Sequence, residues 1–107
     1  MPISDKCYNL AAPLFKGWLL VDTARRYAEA EERDKALMAT VNAGWTWVEF
    51  GDVIPESESK AIVADLKVAK TALEGKNFAA AKQMLDRLSG QIFMASLQKV
   101  VECECGR

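Results

Sequence analysis

The sequence predicts an all-α protein, specifically an up-down four-helix bundle built from two antiparallel helical hairpins. Apolar residues recur at intervals of three and four rather than two, which is typical of amphipathic helices. Glycine, proline and asparagine are concentrated between these periodic segments, and short connections favour antiparallel neighbours. Because 107 residues suffice for one domain with a substantial core, we expect 1–107 to be a single helical domain.

The first hairpin is predicted over about 4–50. Its first helix begins after Ser4, a residue that caps helices well, or near Pro13, which disturbs a helix interior. The charged segment 29–35 contains the turn, and Asp34 is the expected cap of the second helix. The face of the first helix expected to be buried comprises Leu10, Leu14, Trp18, Val21 and Ala28.

The second helix is expected to end at Gly51, where a loop over 51–57 begins. Pro55 disfavours a helical conformation at the preceding residue, and Ser57 can cap the helix that follows. The face of the second helix expected to be buried comprises Leu37, Val41, Gly44, Trp45 and Val48.

The second hairpin is predicted over about 58–103, followed by a short C-terminal tail. Its first helix should run from about Glu58 to Glu74 and bury Ile62, Leu66, Ala69 and Leu73. Gly75 closes that helix and Asn77 caps the next. The last helix should continue to about Glu102 and bury Phe78, Ala81, Leu85, Leu88 and Ile92.

Two helices carry more apolar residues than one buried face can hold. At a rotation of about 100° per residue, the second and the last helix each carry apolar residues that point away from the face expected to be buried. One interpretation is that these are single exposed apolar residues of a kind common on protein surfaces, or that a kink at Gly90 turns the end of the last helix back into the core. The other is a contact surface, most simply that of a homodimer or of another protein partner. The predicted interface residues are Trp47, Phe50, Met94, Leu97 and Val101.

Three cysteines are expected to meet at one end of the bundle, where the first helix begins and the last one ends. Helical phase turns Cys7 and Cys103 inward and Cys105 outward. Three alternatives remain open. In the first, Cys7 and Cys103 are core thiols and Cys105 lies in a loose tail. In the second, the three thiols bind Cu(I) or Zn, and water, a second subunit, Glu102 or Glu104 completes the site. The third is a disulfide from Cys7 to one of the terminal cysteines.

Evidence for other ligand sites or for catalysis is weak in the sequence. Phe15, Trp18 and Trp45 are candidates for an apolar pocket, and Asp22 and Arg25 lie beside it as a specificity pair or ligand anchor. The chain contains no histidine, which excludes Ser-His-Asp and Cys-His catalytic sets. Four carboxylates between positions 29 and 34 lie next to basic residues on both sides and are typical of an ion-paired helix end. We therefore expect no catalytic residue.

Composition and charge narrow the classes of partner. A formal net charge of −1 disfavours nucleic acid and anionic membranes as partners. The apolar run from Leu10 to Val21 is too short to span a bilayer, and the N-terminus lacks a basic leader, so a cytoplasmic protein is expected. The sequence thus predicts a small non-enzymatic interaction or assembly module that forms a homodimer. The alternative is a metal-binding or thiol-redox protein that uses the three cysteines.

Overall fold

The computed structural model describes residues 5–49 and 56–106, and it confirms the all-α four-helix bundle. The predicted cap at Ser4, the interface residue Phe50 and the helix-ending positions 51 and 55 lie outside the described residues. The helices are α1 (Asp5–Glu29), α2 (Arg33–Glu49), α3 (Glu56–Glu74) and α4 (Phe78–Cys105).

Helix α1 is continuous from Asp5 through Pro13. A proline inside a helix removes one backbone hydrogen bond and costs about 3 kcal/mol or more. The first two turns are nevertheless anchored, because Cys7 and Ala11 are completely buried. Leu14, Val21 and Ala28 face the core as predicted, whereas Leu10 is exposed.

Both hairpin turns have the same backbone geometry. The φ angle is 59° at Glu31 and 58° at Lys76, the left-handed conformation that usually requires glycine. In the second turn, Lys76 N–H donates to the Leu73 carbonyl at 3.0 Å and Asn77 N–H donates to the Ala72 carbonyl at 2.8 Å. This pattern is a Schellman motif. The left-handed residue of this turn is therefore Lys76 rather than Gly75, although glycine was expected to close the helix.

The helix starts differ slightly from the predicted ones. Asp34 lies in the first turn of α2 instead of capping it, and α3 begins at Glu56, so that Ser57 is already helical. The cap predicted at Asn77 is confirmed, because its side-chain oxygen accepts a hydrogen bond from Ala80 N–H at 3.2 Å. Helix α4 continues past the predicted end to Cys105, which leaves little of the expected tail.

The four helices form a square in which neighbours in sequence, and the first and last helices, pack together. In α3 and α4 the buried residues are those expected from helical periodicity, with Phe78 half-buried. These large aliphatic residues contribute most of the core volume, and burying each one contributes on the order of 1.5–3 kcal/mol. The core therefore lies between two hairpins that meet along α1–α4 and α2–α3.

The face of α2 expected to be buried is wrong at Val41 and Trp45. Leu37 is half-buried against the core as predicted, and the side chain of Val48 lies outside the described residues. Val41 is exposed, and Trp45 has 64% of its surface exposed. The opposite side of the helix is buried instead and consists of small residues with one large one: Ala36, Ala39, Thr40, Ala43 and Trp47. Alanines on a buried face let α2 approach α1 closely, whereas the prediction followed the bulkier apolar residues.

Candidate interaction surface

The outer side of α4 is apolar along its C-terminal half. Met94 is 65% exposed, Leu97 41% and Val101 58%, and Gly90 lies on the same side one turn before Met94. Because these three residues are exposed, the interpretation that a kink at Gly90 returns them to the core is wrong. Three of the predicted interface residues thus lie together on one exposed helix face.

Helix α1 extends this surface. Cys7 is joined to Cys103, and the rings of Trp18 and Phe93 have centroids 5.3 Å apart, so residue numbers fall along α4 as they rise along α1. Given this antiparallel register and a rotation of about 100° per residue, the α1 residues Tyr8, Phe15 and Leu19 lie on the same side of the molecule as Met94. We call the combined surface the α1–α4 apolar face; its residues are Tyr8, Phe15, Leu19, Gly90, Phe93, Met94, Leu97 and Val101.

An ion-pair cluster marks one end of this face. The buried carboxylate of Asp22 accepts hydrogen bonds from Arg25 Nη2 at 3.0 Å and from Arg26 Nε at 3.0 Å. Arg25 also lies 3.8 Å from Asp86 of α4 and 3.6 Å from Glu29. The hydrogen bond with Asp22 raises the pKa of Arg25 above its ordinary value. The Arg25 guanidinium therefore stays charged up to a pH above its ordinary pKa. Its link between α1 and α4 is lost only when the pH rises past the raised pKa.

Trp47, predicted as an interface residue, lies in the core with 2% of its surface exposed. Its indole ring packs against α1 at Gly17, a position where a Cβ atom would lie 2.8 Å from Cζ2. The indole Nε1 is buried and has no hydrogen-bond partner among the described residues. Trp47 thus joins α1 to α2 and is removed from the interface set.

The three predicted pocket residues do not form one pocket. Trp18 contacts Phe93, and Phe15 lies half-buried at the α1–α4 apolar face. Trp45 instead lines a groove between α2 and α3, together with Val63 and Leu66. The sequence signal for this groove was present in the apolar residues of α2, but they were assigned to the core.

The cysteines are divided into a bonded pair and one thiol. Cys7 and Cys103 form a disulfide with a Cα–Cα distance of 5.6 Å, and Cys105 is exposed and free. The inward placement of Cys7 is confirmed, since it is completely buried. A disulfide offers no thiolate to a metal ion, so the three-cysteine metal site stays a prediction for the reduced protein. Within the described residues, no group of three or more His, Cys, Asp or Glu is placed to hold a metal ion.

The acidic segment at the first turn is ion-paired, as its sequence indicated. Glu29 lies 3.6 Å from Lys82, Glu32 lies 3.5 Å from Lys35, and Asp34 lies 3.0 Å from Arg33. Such exposed pairs contribute about 0–1 kcal/mol each, and they are typical of a solvated helix end.

Across 5–49 and 56–106, none of the helices combines the length and the apolar character needed to cross a bilayer. No known protein family, curated protein or solved structure is significantly similar to this chain.

Proposed function

We propose that this protein is a small non-enzymatic helical interaction module that forms a homodimer through the α1–α4 apolar face. The observation that carries the proposal is the exposure of Met94, Leu97 and Val101 on one side of α4, beside exposed apolar residues of α1. Contiguous exposed apolar surface is a liability for a monomer and is enriched at subunit contacts, where Met and aromatic residues are common.

The shape of this face suits a two-fold contact between copies of α4. From Gly90 to Val101 the apolar face runs about 16 Å along the helix axis. A Cβ atom at Gly90 would meet nothing within 4 Å, so the surface there is open. An isologous contact pairs each face with itself, and one copy's Gly90 segment can then receive the larger side chains of the other.

The test is sedimentation equilibrium of the wild-type protein and of Leu97→Glu. A carboxylate in the middle of the interface would be desolvated without a partner, so we expect the dimer dissociation constant to rise at least about tenfold, which corresponds to about 1.4 kcal/mol. The matched control is Val68→Glu, which adds the same charge at an exposed apolar residue of α3. A wild-type monomer at micromolar concentration, or equal weakening by both variants, contradicts the proposal.

A thiol-redox function is a second candidate, favoured by the Cys7–Cys103 disulfide beside the free thiol of Cys105. This candidate requires reversible oxidation that changes an activity or an association of the protein. Serine replacement of all three cysteines, followed by the same sedimentation measurement under oxidising and reducing conditions, tests it. If the redox response of the dimer is the same with and without the cysteines, this candidate is eliminated.

We also propose a cytoplasmic location, in which the Cys7–Cys103 disulfide forms only when the protein meets oxidising conditions. An exposed unpaired thiol such as Cys105 is unusual in oxidising compartments, where a leftover cysteine tends to pair between molecules. Alkylation of thiols in freshly lysed cells, followed by mass measurement, counts the reduced cysteines. Three alkylated cysteines per chain support a reducing compartment, and one alkylated cysteine contradicts it.

A further inference from the structure

A groove runs between α2 and α3, on the side of the bundle opposite the α1–α4 apolar face. It consists of two adjoining cavities of about 310 and 400 Å³, which share Val41 and Lys70 as lining residues. Together they extend along α2 from Arg33 to Trp45, a length of about 18 Å. This length matches slightly more than three turns of an α-helix.

The floor of the groove is apolar. Val41 and Trp45 of α2 lie opposite Val63 and Leu66 of α3 in one cavity, and Met38 extends the apolar lining into the other. Gly44 lies in the floor, and a Cβ atom there would meet nothing within 4 Å. Helix α2 therefore has two apolar sides, one buried in the core and one open to solvent.

The α3 rim of the groove is basic. Lys67 and Lys70 line it one turn apart, and neither forms an ion pair with any residue that the structure describes. At the end of the groove, Arg33 is paired with Asp34, and Glu74 is the one carboxylate among the residues lining the two cavities. The two unpaired ammonium groups are therefore available to an acidic partner along most of the groove.

We propose that this groove binds an amphipathic helix of a partner protein, with apolar residues against Val41 and Trp45 and acidic residues against Lys67 and Lys70. This is the helix-in-groove mode of recognition, in which residues at i, i+3 or i+4, and i+7 anchor the helix. Complementary charge on the flanking positions sets its orientation and speeds association. The groove is separate from the α1–α4 apolar face, so this inference does not depend on homodimerisation.

The experiment selects binders from a displayed library of 14-residue amphipathic helices in which the flanking positions vary among Glu, Lys and Gln. Selected peptides are synthesised, and binding is followed by the fluorescence of Trp45, with Trp45→Phe as the spectroscopic control. The blocking variant is Gly44→Leu, which fills the groove from a position with free space. The matched control is Ala61→Leu, which adds the same side chain at an exposed residue of α3 that does not line the groove. Circular dichroism verifies that both variants are folded.

We expect the selected peptides to be rich in Glu at the flanking positions. Gly44→Leu should weaken their binding at least tenfold, while Ala61→Leu should leave it unchanged. The double variant Lys67→Glu/Lys70→Glu should also weaken binding and should favour Lys-bearing peptides. Selection of no binder, of binders without acidic preference, or of binders insensitive to Gly44→Leu overturns the proposal. So does a finding that Gly44→Leu converts a dimer to a monomer, because the groove would then receive a second copy of this chain.

Discussion

Trp47 and Gly17 fit together so closely that each restricts what the other position accepts. A Cβ atom at position 17 would lie 2.8 Å from Cζ2 and 2.9 Å from Cε2 of the indole, and the ring is buried on all sides. We therefore expect Gly17→Ala to lower the free energy of unfolding by about 1–3 kcal/mol, as overpacking does. Chemical denaturation measures this change.

Gly44→Ala is the control for Gly17→Ala. Both glycines are helical, but a Cβ atom at position 44 meets nothing within 4 Å, and Gly44 lies outside the α1–α4 apolar face. Only helix propensity changes there, so this variant should be stabilised by about 0.8–1 kcal/mol. If Gly17→Ala is stabilised to the same extent, the close packing of Trp47 on α1 is refuted.

Lys76 occupies a left-handed conformation that glycine adopts without a steric penalty. For other residues this conformation costs about 1–2 kcal/mol. Replacement by glycine removes that cost but raises the conformational entropy of the unfolded chain, which offsets part of the gain. Lys76→Gly should therefore raise the free energy of unfolding by about 0.5–1 kcal/mol. Lys67→Gly, in the middle of α3, should lower it by about 1 kcal/mol. Thermal and urea unfolding of the pair would disprove the turn geometry if both variants lost stability.

Helices α1 and α4 are tied at one end by the Cys7–Cys103 disulfide, which closes a loop with a sequence separation of 96. Long loops lose much conformational entropy in the unfolded chain when they are closed, so replacing both cysteines by alanine should lower the free energy of unfolding by about 2–4 kcal/mol. Cys105→Ala should have no effect, because this residue is exposed and unbonded. Equal stability of the oxidised wild type and the double variant would contradict the stabilising role of this bond.

The positions of the helices could be predicted from the sequence, but the orientation of α2 could not. In α3 and α4 the large aliphatic residues occupy one face, so periodicity identifies the core directly. In α2 the larger residues Val41 and Trp45 are exposed, while Ala36 and Ala43 are completely buried. Periodicity alone cannot rank two apolar faces, and the contact that decides between them, Trp47 on Gly17, joins residues far apart in sequence.

The candidate sites were predictable to different degrees. Met94, Leu97 and Val101 were identified from helical phase, because they lie opposite a strongly apolar face of the same helix. The partners of these residues on α1 required the register of two helices, which depends on tertiary contacts such as Trp18 with Phe93. The groove between α2 and α3 could not be found until the buried side of α2 was known.

The bundle as a whole presents two apolar surfaces on opposite sides. The α1–α4 apolar face lies on one side, with no charged side chain between Phe93 and Leu97. The groove beside Val41 and Trp45 lies on the other and has a basic rim. A homodimer formed through the first surface would hold two grooves facing outward, and a partner that presents two suitably spaced helices would bind it bivalently.

The most direct test of this account is native mass spectrometry of the wild type, Met94→Glu and Met38→Glu at equal concentration. Met94 and Met38 have similar exposure, 65% and 69%, and lie on opposite sides of the bundle. We predict that the wild type and Met38→Glu appear at twice the chain mass of 11.8 kDa, and that Met94→Glu appears as a monomer. A monomeric wild type, or a dimer that is lost in Met38→Glu and retained in Met94→Glu, would contradict self-association through the α1–α4 apolar face.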